Sequence, residues 1–138
     1  NNFSTKLPLG GWICWDKKGS KAADKSLMGD FELCWSRDIH KFSMVRIPWI
    51  GAFGRDSSDG PRIHPSQKPV RLAEWFFDRW GKNKTNIVDL YLGSGTTIIA
   101  CEKTGRKCFG MEIDEHYCSV IIKRWEKFTG KKAIREES

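Results

Sequence analysis

The sequence predicts an α/β protein with a mixed, mostly parallel sheet flanked by helices. Three observations predict it. The second half alternates as helix, strand, helix, strand, helix, the order that builds a parallel sheet through crossover helices. Two of those strands, over residues 87–92 and 107–113, are short apolar runs that read as buried. The first half holds short strand patterns separated by polar turns, which adds an antiparallel pair.

Each element has a local reason. Gly11-Trp12-Ile13-Cys14-Trp15-Asp16 is an apolar run after a Gly-Gly turn and reads as a strand. Residues 17–29 are polar and lysine-rich, a loop. Phe31 to Ser36 is a second strand. Residues 42–47 alternate well enough for a third, expected as an antiparallel neighbour and closed by Pro48. Residues 51–62 hold Gly, Asp, Ser and Pro, a surface loop. Residues 69–80 form a helix with Val70, Ala73, Phe76 or Phe77, and Trp80 on one face. Pro69 suits its first turn and Gly81 its stop. A short helix follows over 96–103, ended by Gly105. The last helix, 115–129, places Tyr117, Ile121, Trp125 and Phe128 on one face, with Gly130 as its stop. The tail 131–138 is charged and expected to fray. Repeats and low-complexity tracts are absent from the sequence.

With 138 residues the chain has the size of one domain. Seven Trp and eight Phe supply a core despite a hydrophobic fraction of 39%. The net charge of +7 favours polyanionic partners, although a merely lysine-rich soluble surface explains it equally well. The five cysteines form no Cys-x-x-Cys pair, and the three histidines do not cluster with them at ligand spacing. That argues for reduced thiols in a cytoplasmic protein and against a zinc site. No run approaches the ~18 apolar residues a membrane span needs, and no signal peptide is visible.

The chemistry concentrates in Asp89-Leu90-Tyr91-Leu92-Gly93-Ser94-Gly95-Thr96-Thr97. Glycine permits positive φ and removes a Cβ that would block a ligand, so Gly95→Val is expected to fill the ligand's space. The helix that follows aims free N–H groups at the same space, which suits a carboxylate or phosphate. Glu112, at the end of the next strand, is placed to accept hydrogen bonds from vicinal ribose hydroxyls. A third glycine of the dinucleotide fingerprint would fall at Ile98, and a phosphate-binding loop would need Gly-Lys-Ser/Thr, so both of those sites are excluded.

These residues carry a family resemblance. The Asp89–Thr97 stretch resembles the S-adenosylmethionine motif of amino-group DNA methyltransferases, typically Asp-x-Phe-x-Gly-Ser-Gly-Thr-Thr. Upstream, His64-Pro65-Ser66-Gln67-Lys68-Pro69 is similar to the family's His-Pro-Thr-Gln-Lys-Pro box. Downstream, Phe109-Gly110-Met111-Glu112-Ile113-Asp114, with Tyr117 and Arg124 beyond, is similar to its next segment. Residues 11–17 and 31–36 look like the strands after the catalytic motif in small phage-type and bacterial members.

The resemblance implies a Rossmann-like S-adenosylmethionine-dependent fold, incomplete in this chain. It implies that Asp89, Gly93, Gly95, Thr96 and Thr97 line the methionine end of S-adenosylmethionine, with Tyr91 and Ser94 also among the cofactor-binding residues. Glu112 would hold the ribose, Ile113 would pack on the adenine, and Ser66 and Lys68 would close the site. Arg55, Arg62 and His64 are candidate DNA contacts; the lysines at 17, 18, 21 and 25 read as a solvated face. The whole chain reads as the C-terminal portion of a single methyltransferase domain. Residues 1–50 form a sheet part, 51–63 a candidate DNA-contact loop and 64–130 the cofactor-binding part.

One family element is missing. The Asp/Asn/Ser-Pro-Pro-aromatic motif is absent, since the five prolines are never adjacent. In the family order it belongs upstream of Asn1, so the chain reads as N-terminally truncated, with no catalytic residue of its own. Either the upstream segment was removed, or a second chain or copy supplies the missing strand. The expected activity is methyl transfer to an exocyclic amino nitrogen of a flipped base in double-stranded DNA, adenine N6 before cytosine N4, as in restriction-modification. The alternatives are an inactive cofactor-binding fragment, or a methyltransferase acting on RNA or a small molecule. No covalent cysteine step is expected, because no cysteine follows a proline.

Overall fold

The computed structural model describes residues 6–18, 31–49 and 59–136. The chain divides into two compact units, Asn1–Arg55 and Asp56–Ser138.

The first unit is a three-stranded sheet of β1 (Gly11–Asp16), β2 (Phe31–Ser36) and β3 (Ser43–Arg46), in the order β2-β1-β3. β1 pairs antiparallel with β2, with Ile13 opposite Cys34. β3 runs parallel to β1, with Trp15 opposite Val45, so the expectation of an antiparallel third strand is corrected. A parallel partner needs a connection that crosses the sheet, and β2 fills the other edge of β1. Ile13, Trp15 and Val45 share one buried face, and Trp15 Nε1 donates to the Ile47 carbonyl at 2.9 Å. Lys17 is bonded to Glu32 at 3.1 Å, as a structural lysine would be. Lys21 and Lys25 lie outside the described residues.

The second unit is built from α1 (Val70–Trp80), β4 (Asn86–Asp89), α2 (Thr96–Thr104), β5 (Lys107–Gly110) and α3 (Glu115–Thr129). β4 and β5 pair in parallel, Ile87 opposite Cys108 and Val88 opposite Phe109, with α2 as the crossover. Val70, Phe77, Ile99, Ala100 and Cys101 form the core, with Ala73, Ile87, Cys108 and Trp125 packed against it. All three helices end on glycine, with Gly105 and Gly130 at φ +67° and +71°. Asp114 caps α3 by accepting the His116 and Tyr117 N–H groups.

Several expectations need correction in this unit. The strands are shorter than their apolar runs, because bonds past their ends become irregular: Met111 N–H reaches the Asp89 carbonyl at 2.9 Å and Leu92 N–H the Met111 carbonyl at 3.0 Å. They are also only half-buried. Ile87 and Cys108 face the helices, whereas Val88 and Phe109 on the other face are 67% and 56% exposed. Among the described residues of this unit, no helix covers the Val88–Phe109 face. On α3, Ile121 is buried but Phe128 is 41% exposed. The tail is tied rather than frayed as far as Ala133, whose N–H donates to Glu126 Oε1 at 3.1 Å while Lys132 pairs with Oε2.

Candidate cofactor site

The glycine turn sits at the carboxyl end of β4 and opens directly into α2. Gly93 and Gly95 have φ of +54° and +77°, values that L side chains adopt only under strain. Asp89 holds the turn from below: Oδ1 accepts the Tyr91 N–H at 2.9 Å, and Oδ2 accepts the Thr97 hydroxyl at 2.6 Å. Thr96 faces the other way and donates Oγ1 to the Lys68 carbonyl at 2.9 Å, which joins the turn to the box before α1.

The box is folded by its own polar groups. The buried Gln67 accepts the Ile63 N–H and donates to the Asp59 carbonyl, both at 3.0 Å. The Asp59 carboxylate, fully buried, accepts the Val70 N–H at 2.7 Å and so caps α1 from eleven residues upstream. Asp59 is invisible to sequence reading, because a cap that distant has no local signature. The His64 ring packs edge-on against Tyr117 at 4.3 Å and lies 3.6 Å from where a Gly93 Cβ would stand. His64 Nδ1 accepts the Ser66 N–H at 3.1 Å, which leaves Nε2 as the protonated nitrogen of the neutral ring.

Turn and box face each other across a cleft of about 220 Å³. Ser66, Lys68, Asp89, Tyr91, Gly93, Ser94, Thr96 and Thr97 line it, as do His64, Gln67 and Phe76. Whole small-molecule pockets usually enclose roughly 300–1,000 Å³, so these residues form part of a site's wall. Two larger hollows, beside α3 and on the first sheet, contain none of the residues expected at the cofactor site.

Glu112 adjoins the cleft rather than lining it. Its Oε2 accepts the Gly93 N–H at 2.8 Å and its Oε1 the Asp114 N–H at 3.0 Å. The Asp114 N–H first, and the Gly93 N–H with it, hold this carboxyl below the usual glutamate range. Each oxygen retains lone pairs for ligand hydroxyls. Ile113 is 100% exposed.

The cleft brings most of the expected cofactor residues together, and Gly95 lies apart from its lining. Gly95 does not face the cleft: a Cβ there would meet Ile121 Cγ2 of α3 at 3.0 Å, so Gly95→Val collides with protein and not with ligand space. Of the candidate DNA contacts, His64 lines the cleft, and Arg62 is exposed with its guanidinium bonded to the Pro65 carbonyl. Arg55 lies outside the described residues. Burial first, then Cys101 beside it, pushes the Cys108 thiol up to about 12, where it is a poor nucleophile. Among the described residues no cluster of His, Cys, Asp and Glu could hold a metal, and no helix is long and apolar enough to cross a membrane.

Box, glycine turn and acid all lie within residues 35–124, well over half of the chain, and that stretch matches the N6/N4 DNA methylase family. The chain belongs to the amino-group DNA methyltransferase family. Among curated relatives of the family, it is 27% identical over 115 residues to the type II methyltransferase M2.LlaDCHI of Lactococcus lactis subsp. cremoris, covering 83% of this chain and 41% of that protein. It is 26% identical over 114 residues to M2.DpnII of Streptococcus pneumoniae, with the same coverage. A shorter match, 32% identical over 81 residues, is to M.ScaI of Streptomyces caespitosus and covers 59% of this chain and 27% of the relative. The chain thus spans about two fifths of the length of the first two. No solved structure matches it.

Proposed function

We propose that this chain is the S-adenosylmethionine-binding part of a DNA methyltransferase with a Rossmann-like fold. The enzyme would act on an exocyclic amino nitrogen of a flipped base, adenine N6 before cytosine N4. The observation that carries the reading is the juxtaposition of the strained Gly93–Gly95 turn, the His64–Pro69 box across the cleft from it, and Glu112 bonded to the turn's backbone.

The residues present suit that donor. The turn and the amino end of α2 offer N–H groups to a carboxylate, and Asp89 stands at the same end to attract an ammonium. Glu112, held ionised by two N–H groups, is a hydrogen-bond acceptor for ribose hydroxyls, and Ile113 offers an apolar surface to a purine. When bound, S-adenosylmethionine would supply an electrophilic methyl carried on a sulfonium, whose sulfur leaves as a neutral thioether. This chain's own residues would orient the donor and shield it from water; that is positioning, not acid–base chemistry.

Calorimetry with S-adenosylmethionine tests the reading. One-to-one binding is expected, and a folded sample that gives no heat would refute it. Duplex DNA and RNA titrated at several salt concentrations test the partner: tighter, salt-sensitive binding to duplex is expected. The partial wall of the cleft and the absence of an adjacent proline pair favour a second statement. This chain alone should bind the donor but transfer no methyl until a segment bearing the Pro-Pro-aromatic motif is supplied.

A further inference from the structure

Arg124 stands behind the cleft, not in it, and its guanidinium reaches both walls. From α3, Nη1 donates to the Ser94 carbonyl at 2.9 Å, to Ser94 Oγ at 3.2 Å and to Thr96 Oγ1 at 3.5 Å. Nη2 donates to the Asp59 carbonyl at 3.1 Å. Ser94 and Thr96 belong to the glycine turn. Asp59 belongs to the opposite wall, because it anchors Gln67 and caps α1 at the end of the box. Asp59, Gln67 and Ser94 are 0%, 3% and 2% exposed, so water cannot replace these bonds.

A guanidinium is a rigid planar fork, and two bonded arms fix the separation of whatever they hold. We propose that Arg124 is a positioning residue that sets the width of the cleft at its amino-acid end, one arm on the turn and the other on the wall of the box. The inference rests on the cofactor reading above. Glu112, assigned to the ribose, is held instead by the N–H groups of Gly93 and Asp114. Loss of Arg124 should therefore penalise ligands according to whether they carry the amino-acid portion.

The test compares two ligands by calorimetry on the folded chain: S-adenosylmethionine, and 5′-methylthioadenosine, which keeps the nucleoside and the sulfur but lacks the amino acid. Arg124→Met should raise Kd for the first by on the order of tenfold, the cost of a lost charge-assisted bond, and for the second by no more than about twofold. Arg106→Met is the structural control. Arg106 joins the Lys84 and Gly81 carbonyls outside the cleft lining, so its loss should lower Tm and leave both Kd values unchanged. Equal losses for both ligands in Arg124→Met, or no loss, would overturn the inference. If that variant does not fold, Arg124→Lys keeps the charge but not the fork and should show the same split; wild-type affinity for both ligands in Arg124→Lys would overturn it equally. A wild-type chain that binds 5′-methylthioadenosine but not S-adenosylmethionine, or neither, is a failure of the cofactor reading itself and takes the inference with it.

Discussion

Glu112 spends one lone pair of each carboxylate oxygen on a backbone N–H, and those bonds favour its ionised form. Its folded pKa is lowered, so its contribution to stability is complete above the ordinary glutamate value of about 4.3 and disappears as pH falls through the lowered folded value. Glu112→Gln should accordingly lower Tm at neutral pH, with the wild-type and variant curves converging as pH falls from the ordinary glutamate range through the lowered folded value. Tm measured by circular dichroism across pH 3–7 checks it. At Gly95 the left-handed backbone and the 3.0 Å approach to Ile121 act together. Gly95→Ala should cost about 2 kcal/mol in urea unfolding. Gly105, equally left-handed but with open space where a Cβ would stand, should cost about 1 kcal/mol as alanine. Equal losses at the two glycines would refute the Ile121 argument. The motif residues are legible in the sequence because their chemistry is local: glycines that turn, a helix start, an acid at a strand end. Gly95's neighbour is not, since nothing in the turn says which side chain of a later helix will press on it.

The helices are the most legible elements, since 3.6-residue apolar spacing and terminal glycines are both local signals. Their amino ends are less so. Asp114 caps α3 from the adjacent position, exposed to water, while Asp59 caps α1 from a buried site far upstream. Asp114→Ala should cost about 1 kcal/mol. Asp59→Ala should cost more, about 2–3 kcal/mol, because it strands a buried N–H that water cannot reach. Denaturant midpoints of the two variants give the order, and a larger loss at Asp114 would contradict it. Strand direction is not legible at β3, because a short alternating run is the same in a parallel or an antiparallel pair.

At the scale of the whole chain, β4 and β5 have one face on the helices and another that exposes Val88 and Phe109. Exposed apolar pairs on a short sheet promote self-association. Val88→Thr with Phe109→Thr should leave stability within about 0.5 kcal/mol and shift sedimentation toward monomer. Unchanged association would show that this face is not responsible. The apolar pattern of the two strands predicts burial on both sides, which is what their sequence is suited to; whether a cover is present depends on chain that strand sequence does not contain. By itself, then, the sequence determined the family, the order of box, turn and acid, and the helices, all of which rest on residue spacing and local backbone preference. Only the tertiary structure decided that Gly95 packs on Ile121, that Asp59 caps α1, that His64 leans on Tyr117 over Gly93, and that Arg124 bridges the two walls. Those are contacts between residues far apart in the chain, chosen by which surfaces meet when the core closes, and no periodicity encodes them.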